Sequence, residues 1–307
     1  MTLKINFLYV RILTVIFLIA IFMTFHFSES FGQPGVYPKE ALVKYTPLNP
    51  YDRFPDGRPR VPDDILKRMK EVTVVEAWSV LRRHGYHHQY EEGNWKILHP
   101  ERKLVGRAVT CVFMPIRPAL NEVIAKQGII DKRKGRGQNS WVIDTLVLDD
   151  VIVVDLFGKI KDGTFAGDNL ATSIHSKTGT GMVIDGSVRD LEGILPIPNF
   201  TTFIRGVSPT GIADVMLMGI NVPIRIGNVT VMPGDLVLGS EEGLIFIPPH
   251  LAQEVVESSE RTRLRDEFGH QRLREGKYTP GQIDQKWTPE IQKDFEEWLK
   301  ERNKKQR

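Results

Sequence analysis

A strand, a glycine-bounded helix and a second strand follow one another in residues 151–186, and this order constrains the fold more than any other feature. The run "VIVV" at 151–154 has no polar face, which is typical of a strand buried inside a parallel sheet. "DNLATSIHSK" (168–177) predicts a helix, and "MVIDG" (182–186) returns as a strand, with Gly186 expected to turn the chain. Parallel strands joined by a helix are the repeating unit of α/β folds. The stretch therefore predicts an α/β domain.

Three charged residues lie where these elements begin or end. Asp168 is the predicted N-cap of the helix, and Arg189 and Asp190 follow the second strand. The edge of the sheet at which they would meet is where ligands of α/β proteins bind. The expected free amides of Asn169 and Leu170 favour an anion, whereas an aspartate can hold a hard cation. Taken singly, each feature also fits a plain helix cap or a surface turn.

The spacing of these residues resembles a known family. "GDNLA" followed by "MVIDGSVRD" is similar to the RraA-like family, whose aldolase members carry Asp, twenty residues, and then Arg-Asp, the spacing of Asp168 and the pair at 189–190. "LVGRAVT" (104–110), "VPIRIGNVTVMPGD" (222–235) and "EEGLIFIPP" (241–249) match as well. The resemblance covers about residues 64–258. It implies a three-layer β/β/α sandwich of the swivelling-domain type.

The resemblance also implies a role for each residue. Asp190 would coordinate a divalent cation, Mg²⁺ or Mn²⁺, and Asp168 would orient a water on that cation. Arg189 would hold the keto oxygen or carboxylate of the substrate and stabilise its enolate, while the amides of Asn169 and Leu170 would take a pyruvyl carboxylate. The implied reaction is the retro-aldol cleavage of a 4-hydroxy-2-oxo acid, or the decarboxylation of oxaloacetate, to pyruvate. Both pass through the same enolate, so no Schiff-base lysine is needed.

Two other functions stay open at this stage. Some members of the family are regulators that bind proteins without metal chemistry, and a shared fold does not decide the function. His175, within the predicted helix, is similar in position to the phosphohistidine of swivelling domains, but nucleotide-binding partner domains are missing from the sequence. A histidine packed on the flank of the helix is the favoured interpretation.

The first 62 residues are predicted to lie outside the catalytic domain. Residues 1–32 carry an apolar run from Ile12 to Phe25 after two basic residues, which suits a signal peptide and is short for a membrane span. Export with cleavage near Gly32 is favoured, and an uncleaved membrane anchor is the alternative. Residues 33–62 hold seven prolines and predict a non-helical, extended arm.

The remaining boundaries follow from the change in character along the chain. Residues 63–258 are predicted to form the catalytic domain, opening with one helix from Asp63 or Asp64 to Gly85. Residues 259–307 are predicted as a charged helical extension, with Thr288 as the N-cap of its last helix. The resemblance implies a homotrimer or a hexamer, in which the arm or the extension would contact a neighbouring subunit.

Charge and cysteine content exclude some classes of function. The formal net charge is +3, too small to indicate a nucleic-acid partner. The basic run at 131–138 lacks interleaved aromatic residues, so a solvated loop is favoured there. Cys111 is the one cysteine, which excludes an internal disulfide and a multi-cysteine metal site. Its apolar surroundings predict a buried structural thiol.

Overall fold

A mixed β-sheet forms the centre of the chain in the computed structural model, which describes residues 37–135 and 137–305. The predicted signal or anchor segment, residues 1–32, lies outside these. Across the described ranges, no helix combines the length and hydropathy that crossing a membrane requires. The strands are β1 (Tyr90–Glu91), β2 (Lys96–Leu98), β3 (Leu104–Pro115), β4 (Asp150–Ala166), β5 (Met182–Val188), β6 (Thr202–Val207), β7 (Val215–Ile220), β8 (Ile224–Ile226), β9 (Val229–Val231), β10 (Leu236–Ser240) and β11 (Gly243–Ile247).

The helices flank this sheet and form the C-terminal part of the chain. They are α1 (Lys39–Tyr45), α2 (Asp63–Met69), α3 (Val74–Arg83), α4 (Pro118–Ile130), α5 (Gln138–Ile143), α6 (Asp168–Thr178), α7 (Leu191–Ile194), a 3₁₀ turn (Pro249–Leu251), α8 (Ala252–Arg274), α9 (Pro280–Ile283) and α10 (Pro289–Lys305).

The main sheet has the strand order β1-β11-β10-β3-β4-β5-β6-β2, and β7 pairs with the distal half of β3. The central strands β3, β4, β5 and β6 are parallel to one another, and the flanking pairs are antiparallel. Strands β8 and β9 form a separate hairpin. The predicted parallel pair, β4 and β5, is therefore confirmed at the middle of the sheet.

Alternation along β4 shows how the layers are built. Ile152 and Val154 belong to the apolar core shared with the residues of α4, α5 and α6. Val151 and Val153 point the other way, into a core shared with the β8–β9 hairpin. Because side chains alternate across a strand, a fully apolar run buries both faces. The layers are thus hairpin, sheet and helices, as the predicted α/β fold of β/β/α type requires.

Two local predictions about residues 63–258 are wrong. Strand β5 continues through Gly186 to Val188, and a Cβ at Gly186 would come within 2.8 Å of Leu156 Cδ2, so this glycine permits close packing rather than a turn. The single helix expected from Asp63 or Asp64 is two helices, α2 and α3. Thr73 starts the second, since its Oγ1 accepts from Glu76 N–H (3.2 Å) while Glu76 Oε2 accepts from Thr73 N–H (2.8 Å), a capping box.

The proline-rich arm is also partly helical, against the prediction. Helix α1 lies between Pro38, its N-cap, and Pro47, where no proline interrupts the backbone hydrogen bonds. The rest of the arm packs against the main sheet of the same chain. The guanidinium of Arg58, which is 2% exposed, contacts Asp150 Oδ1 at the start of β4 at 3.0 Å.

The predicted C-terminal helices are confirmed, and Thr288 Oγ1 accepts the Ile291 N–H (3.4 Å) at the start of α10. Helix α8 runs through the expected boundary at 258/259. Phe268, Trp287, Phe295 and Trp298 form an aromatic cluster between these helices, so the extension carries its own small core.

Candidate active site

The ends of β4 and β5 bring the predicted site residues to one edge of the sheet. The two strands pair in parallel from Ile152 and Met182 onward. At their carboxyl ends, the Arg189 N–H donates to Ala166 O (3.1 Å). Helix α6 begins at Asp168, two residues beyond Ala166. The start of the helix and the end of the second strand are therefore adjacent, as the sequence predicted.

Gly167 lies between the helix start and the Arg189–Asp190 pair. A Cβ built on Gly167 would come within 2.5 Å of Asp190 Oδ2 and 3.2 Å of Arg189 Nε. The backbone of Gly167 is extended, with φ −105° and ψ −167°, a conformation open to any residue. The glycine is thus needed for space, because a side chain here would displace the Asp190 carboxylate.

A second glycine makes room for the other carboxylate. A Cβ built on Gly193, in helix α7, would lie 2.6 Å from Asp168 Cβ and 3.0 Å from Asp168 Oδ2. Sequence reasoning missed both glycines. Their signal was adjacency: Gly167 immediately precedes Asp168, and Gly193 is the third residue after Asp190.

Asp190 has an unusual backbone and an open carboxylate. It adopts the left-handed conformation, φ 56° and ψ 47°, which costs free energy in a residue other than glycine. Its Oδ2 accepts from Arg189 Nε at 3.1 Å, while Oδ1 accepts no hydrogen bond from the described residues. The side chains of Arg189 and Asp190 are 45% and 48% exposed. One carboxylate oxygen and the terminal nitrogens of Arg189 are therefore available to a ligand.

The structure corrects the prediction that Asp168 is the N-cap of helix α6. The N-cap of α6 is Gly167, whose carbonyl accepts the Ala171 N–H (2.9 Å), and Asp168 is the first helical residue. Asp168 Oδ1 accepts the Asn169 N–H at 2.7 Å, so the prediction that this amide is free is wrong. The Leu170 N–H has no acceptor among the described residues, and it remains able to bind an anion.

The donor set fits a hydrated divalent cation. No group of three or more His, Cys, Asp or Glu side chains within residues 37–135 and 137–305 has the arrangement of a full protein cage. Mg²⁺ commonly binds through one or two carboxylates while keeping several waters. Asp190 is the residue that would hold such an ion, through Oδ1, because its Oδ2 already accepts from Arg189 Nε.

Two residues singled out in the sequence lie apart from this chemistry. His175 is half-buried, and the edge of its ring packs against Phe200 with 5.8 Å between ring centroids. Cys111 is fully buried in β3, and burial raises the pKa of its thiol well above the ordinary value. A neutral, enclosed thiol is a packing residue rather than a nucleophile.

Comparison with known proteins identifies relatives of this chain. The model of the RraA-like family, described as Aldolase/RraA, matches residues 71–246. A 4-hydroxy-4-methyl-2-oxoglutarate aldolase of Thermus thermophilus is 31% identical over 98 residues, 32% of this chain and 58% of its own length. A Halalkalibacterium halodurans protein, named provisionally for the same activity, is 32% identical over 118 residues, 38% of this chain and 55% of its own length.

Other relatives extend the comparison. Protein DlpA of Legionella pneumophila is 34% identical over 168 residues, 54% of this chain and 25% of its own length. Of the aldolase relatives described above, the chain spans about half the length. RraAS2 of Streptomyces coelicolor, described as an unusual member of the RNase ES inhibitor RraA family, superposes with a TM-score of 0.58 and 26% identity, covering 72% of this chain and 99% of its own.

Proposed function

The chain belongs to the RraA-like family, and from that premise we propose that it is a lyase that cleaves a 4-hydroxy-2-oxo acid, or decarboxylates oxaloacetate, to release pyruvate. The observation that carries the proposal is the meeting of Asp168, Arg189 and Asp190 around two glycines that leave their carboxylates room. Relatives named for this aldolase activity support it. A family member that only binds proteins would have no need of this set.

The residues of the site have distinct tasks in such a reaction. A divalent cation at Asp190 would supply positive charge to stabilise the enolate. Arg189 donates its terminal N–H groups to the keto oxygen or carboxylate of the substrate, as charge-assisted hydrogen bonds. The Leu170 N–H, at the positive end of α6, takes the carboxylate of the pyruvyl group. Asp168, whose Oδ1 already accepts the Asn169 N–H, orients a water with its remaining lone pairs.

The direct test is pyruvate release by the full-length protein. Oxaloacetate and 4-hydroxy-4-methyl-2-oxoglutarate are supplied with Mg²⁺, with Mn²⁺, or with a chelator, and enzyme-free mixtures at the same metal concentration correct for spontaneous decarboxylation. We expect the chelator to abolish turnover and Asp190→Ala to lower kcat/KM by about 100-fold or more. Asp284→Ala, at an exposed carboxylate outside the site, should turn over like the unmodified protein.

Two results would overturn this mechanism. Turnover that persists in the chelator would show that the reaction needs no divalent cation. Full activity of Asp190→Ala would show that Asp190 is not the ligand of a required cation. Absence of activity on every keto acid would favour the second candidate, a regulator that binds proteins. That alternative is supported by the similarity to RraAS2, whose described family inhibits a ribonuclease.

We also propose a cellular location and an oligomeric state for the protein. The apolar run at 12–25 supports export, with membrane anchoring as the alternative, and cell fractionation that finds the chain in the cytoplasm would contradict both. Membership of the family supports a homotrimer or hexamer with a small-molecule substrate and no nucleic acid. Light scattering of the purified protein measures this assembly directly.

A further inference from the structure

A cleft of about 300 Å³ opens between the segment after α1, the turn from β9 to β10 and the 3₁₀ turn. Its walls are aromatic and apolar: Tyr45, Leu48, Tyr86, Met232, Pro248 and His250. None of the residues that line it belongs to the candidate active site. The volume is at the lower end of the range for small-molecule sites.

One carboxylate oxygen in this cleft lacks a hydrogen-bond partner. Asp235 is 3% exposed; its Oδ2 accepts the Met232 N–H at 2.9 Å, and its Oδ1 accepts nothing from the described residues. Gln89 Oε1 is buried without a partner, although its Nε2 reaches Thr230 O at 3.4 Å. Gln89 Oε1 is thus closed to a ligand in the cleft, whereas the free Oδ1 of Asp235 can accept a hydrogen bond from a donor that the chain itself does not provide.

Tyr86, His250 and Asn49, three other polar residues of the cleft, already have partners. The hydroxyl of Tyr86 lies 3.2 Å from His250 Nε2, and Asn49 bonds Tyr51 O through Nδ2 (2.7 Å). No lysine or arginine is among the residues that line the cleft in the described part of the chain. The free oxygen of the Asp235 carboxyl group therefore has no lysine or arginine to pair with among the described residues of the cleft.

We propose that this cleft binds a small organic ammonium ion, with an N–H group on Asp235 and an apolar body against the aromatic walls. An ammonium donates up to three hydrogen bonds, one of which would go to Asp235 Oδ1. Aromatic rings also attract a cation placed at their faces. Burial raises the pKa of Asp235 to about 7, because the carboxyl is desolvated, and a bound cation would favour its ionised form.

The test is calorimetric titration of the full-length protein with 2-phenylethylammonium chloride at pH 8, where Asp235 is ionised. Its neutral counterpart, 2-phenylethanol, has the same body without the charge. We expect saturable binding of the amine and at least tenfold weaker binding of the alcohol. Asp235→Asn should weaken amine binding at least tenfold; Asn can still accept the Met232 N–H, so the turn should be retained.

Asp284→Asn, the same change at an exposed position, is the matched control and should bind the amine normally. Circular dichroism of each variant separates a lost site from a lost fold. Equal binding of amine and alcohol would overturn the proposal, as would undiminished binding by a folded Asp235→Asn variant. The proposal is equally wrong if the unmodified protein shows no saturable heat with the amine.

Discussion

At the residue scale, the candidate site depends on a missing side chain as much as on the charged ones. The spacing of Asp168 and the Arg189–Asp190 pair was readable in the sequence, because a strand-helix-strand order brings helix starts and strand ends to one edge. The clearance at Gly167 was not, since adjacency to Asp168 places the glycine at the site without showing that the Asp190 carboxylate approaches it. The occupied amide of Asn169 was also unreadable, because it follows from one rotamer of Asp168.

The clearance at Gly167 gives a prediction that separates space from charge. Gly167→Ala places a Cβ within 2.5 Å of Asp190 Oδ2 without straining the backbone, so the carboxylate must move. We expect kcat/KM for pyruvate release to fall by about 100-fold while the protein stays folded. Steady-state kinetics and a thermal melt measure the two effects.

Gly211→Ala is the matched control for this substitution. Its Cβ would lie 3.9 Å from Arg189 Nη1, an ordinary contact, so activity should be retained. If Gly167→Ala were as active as Gly211→Ala, the close approach would have no functional role.

At the element scale, long periodic elements were predictable and their interruptions were not. Strands β4 and β5 and helices α6, α8 and α10 follow the apolar pattern of the sequence. The break between α2 and α3 depends on one pair, Thr73 and Glu76, whose reciprocal bonds outweigh a continuous helical pattern. Helix α1 is hidden by the high proline content of residues 33–62 as a whole, although no proline lies between Pro38 and Pro47.

The arm that carries α1 is attached to the sheet by a buried ion pair, and its strength can be measured. The Asp150 carboxylate accepts hydrogen bonds from both terminal nitrogens of Arg58, Nη1 to Oδ1 at 3.0 Å and Nη2 to Oδ2 at 3.3 Å. Both side chains are nearly inaccessible to solvent. Asp150→Ala leaves a buried cation without this partner, so the free energy of unfolding should fall by about 3 kcal/mol or more. Urea denaturation followed by fluorescence gives the value.

Glu260→Ala removes a two-point ion pair of the same kind at the surface. Its partner Arg68 is 31% exposed and Glu260 is 39% exposed, so the loss should stay below about 1 kcal/mol. Equal losses in the two variants would show that burial of the Arg58 pair does not determine its contribution to stability.

At the scale of the whole molecule, the buried carboxyl of Asp235 connects stability to pH. Desolvation raises its pKa from 3.8 to about 7. Below pH 4 the group is protonated in both the folded and the unfolded state. Between pH 4 and 7 the unfolded chain releases the proton and the folded chain keeps it, so rising pH favours unfolding. Asp235 therefore contributes stability at low pH that is lost as the pH passes through 7.

The comparison that isolates this effect is with Asp235→Asn, which cannot titrate. The difference in unfolding free energy between the unmodified protein and the variant should decline by up to about 4 kcal/mol from pH 4 to 8. All other titrating groups are common to both proteins and cancel in the difference. Urea denaturation at each pH gives the two curves. A difference that stays constant across this range would mean that the folded protein ionises Asp235 as readily as the unfolded chain does.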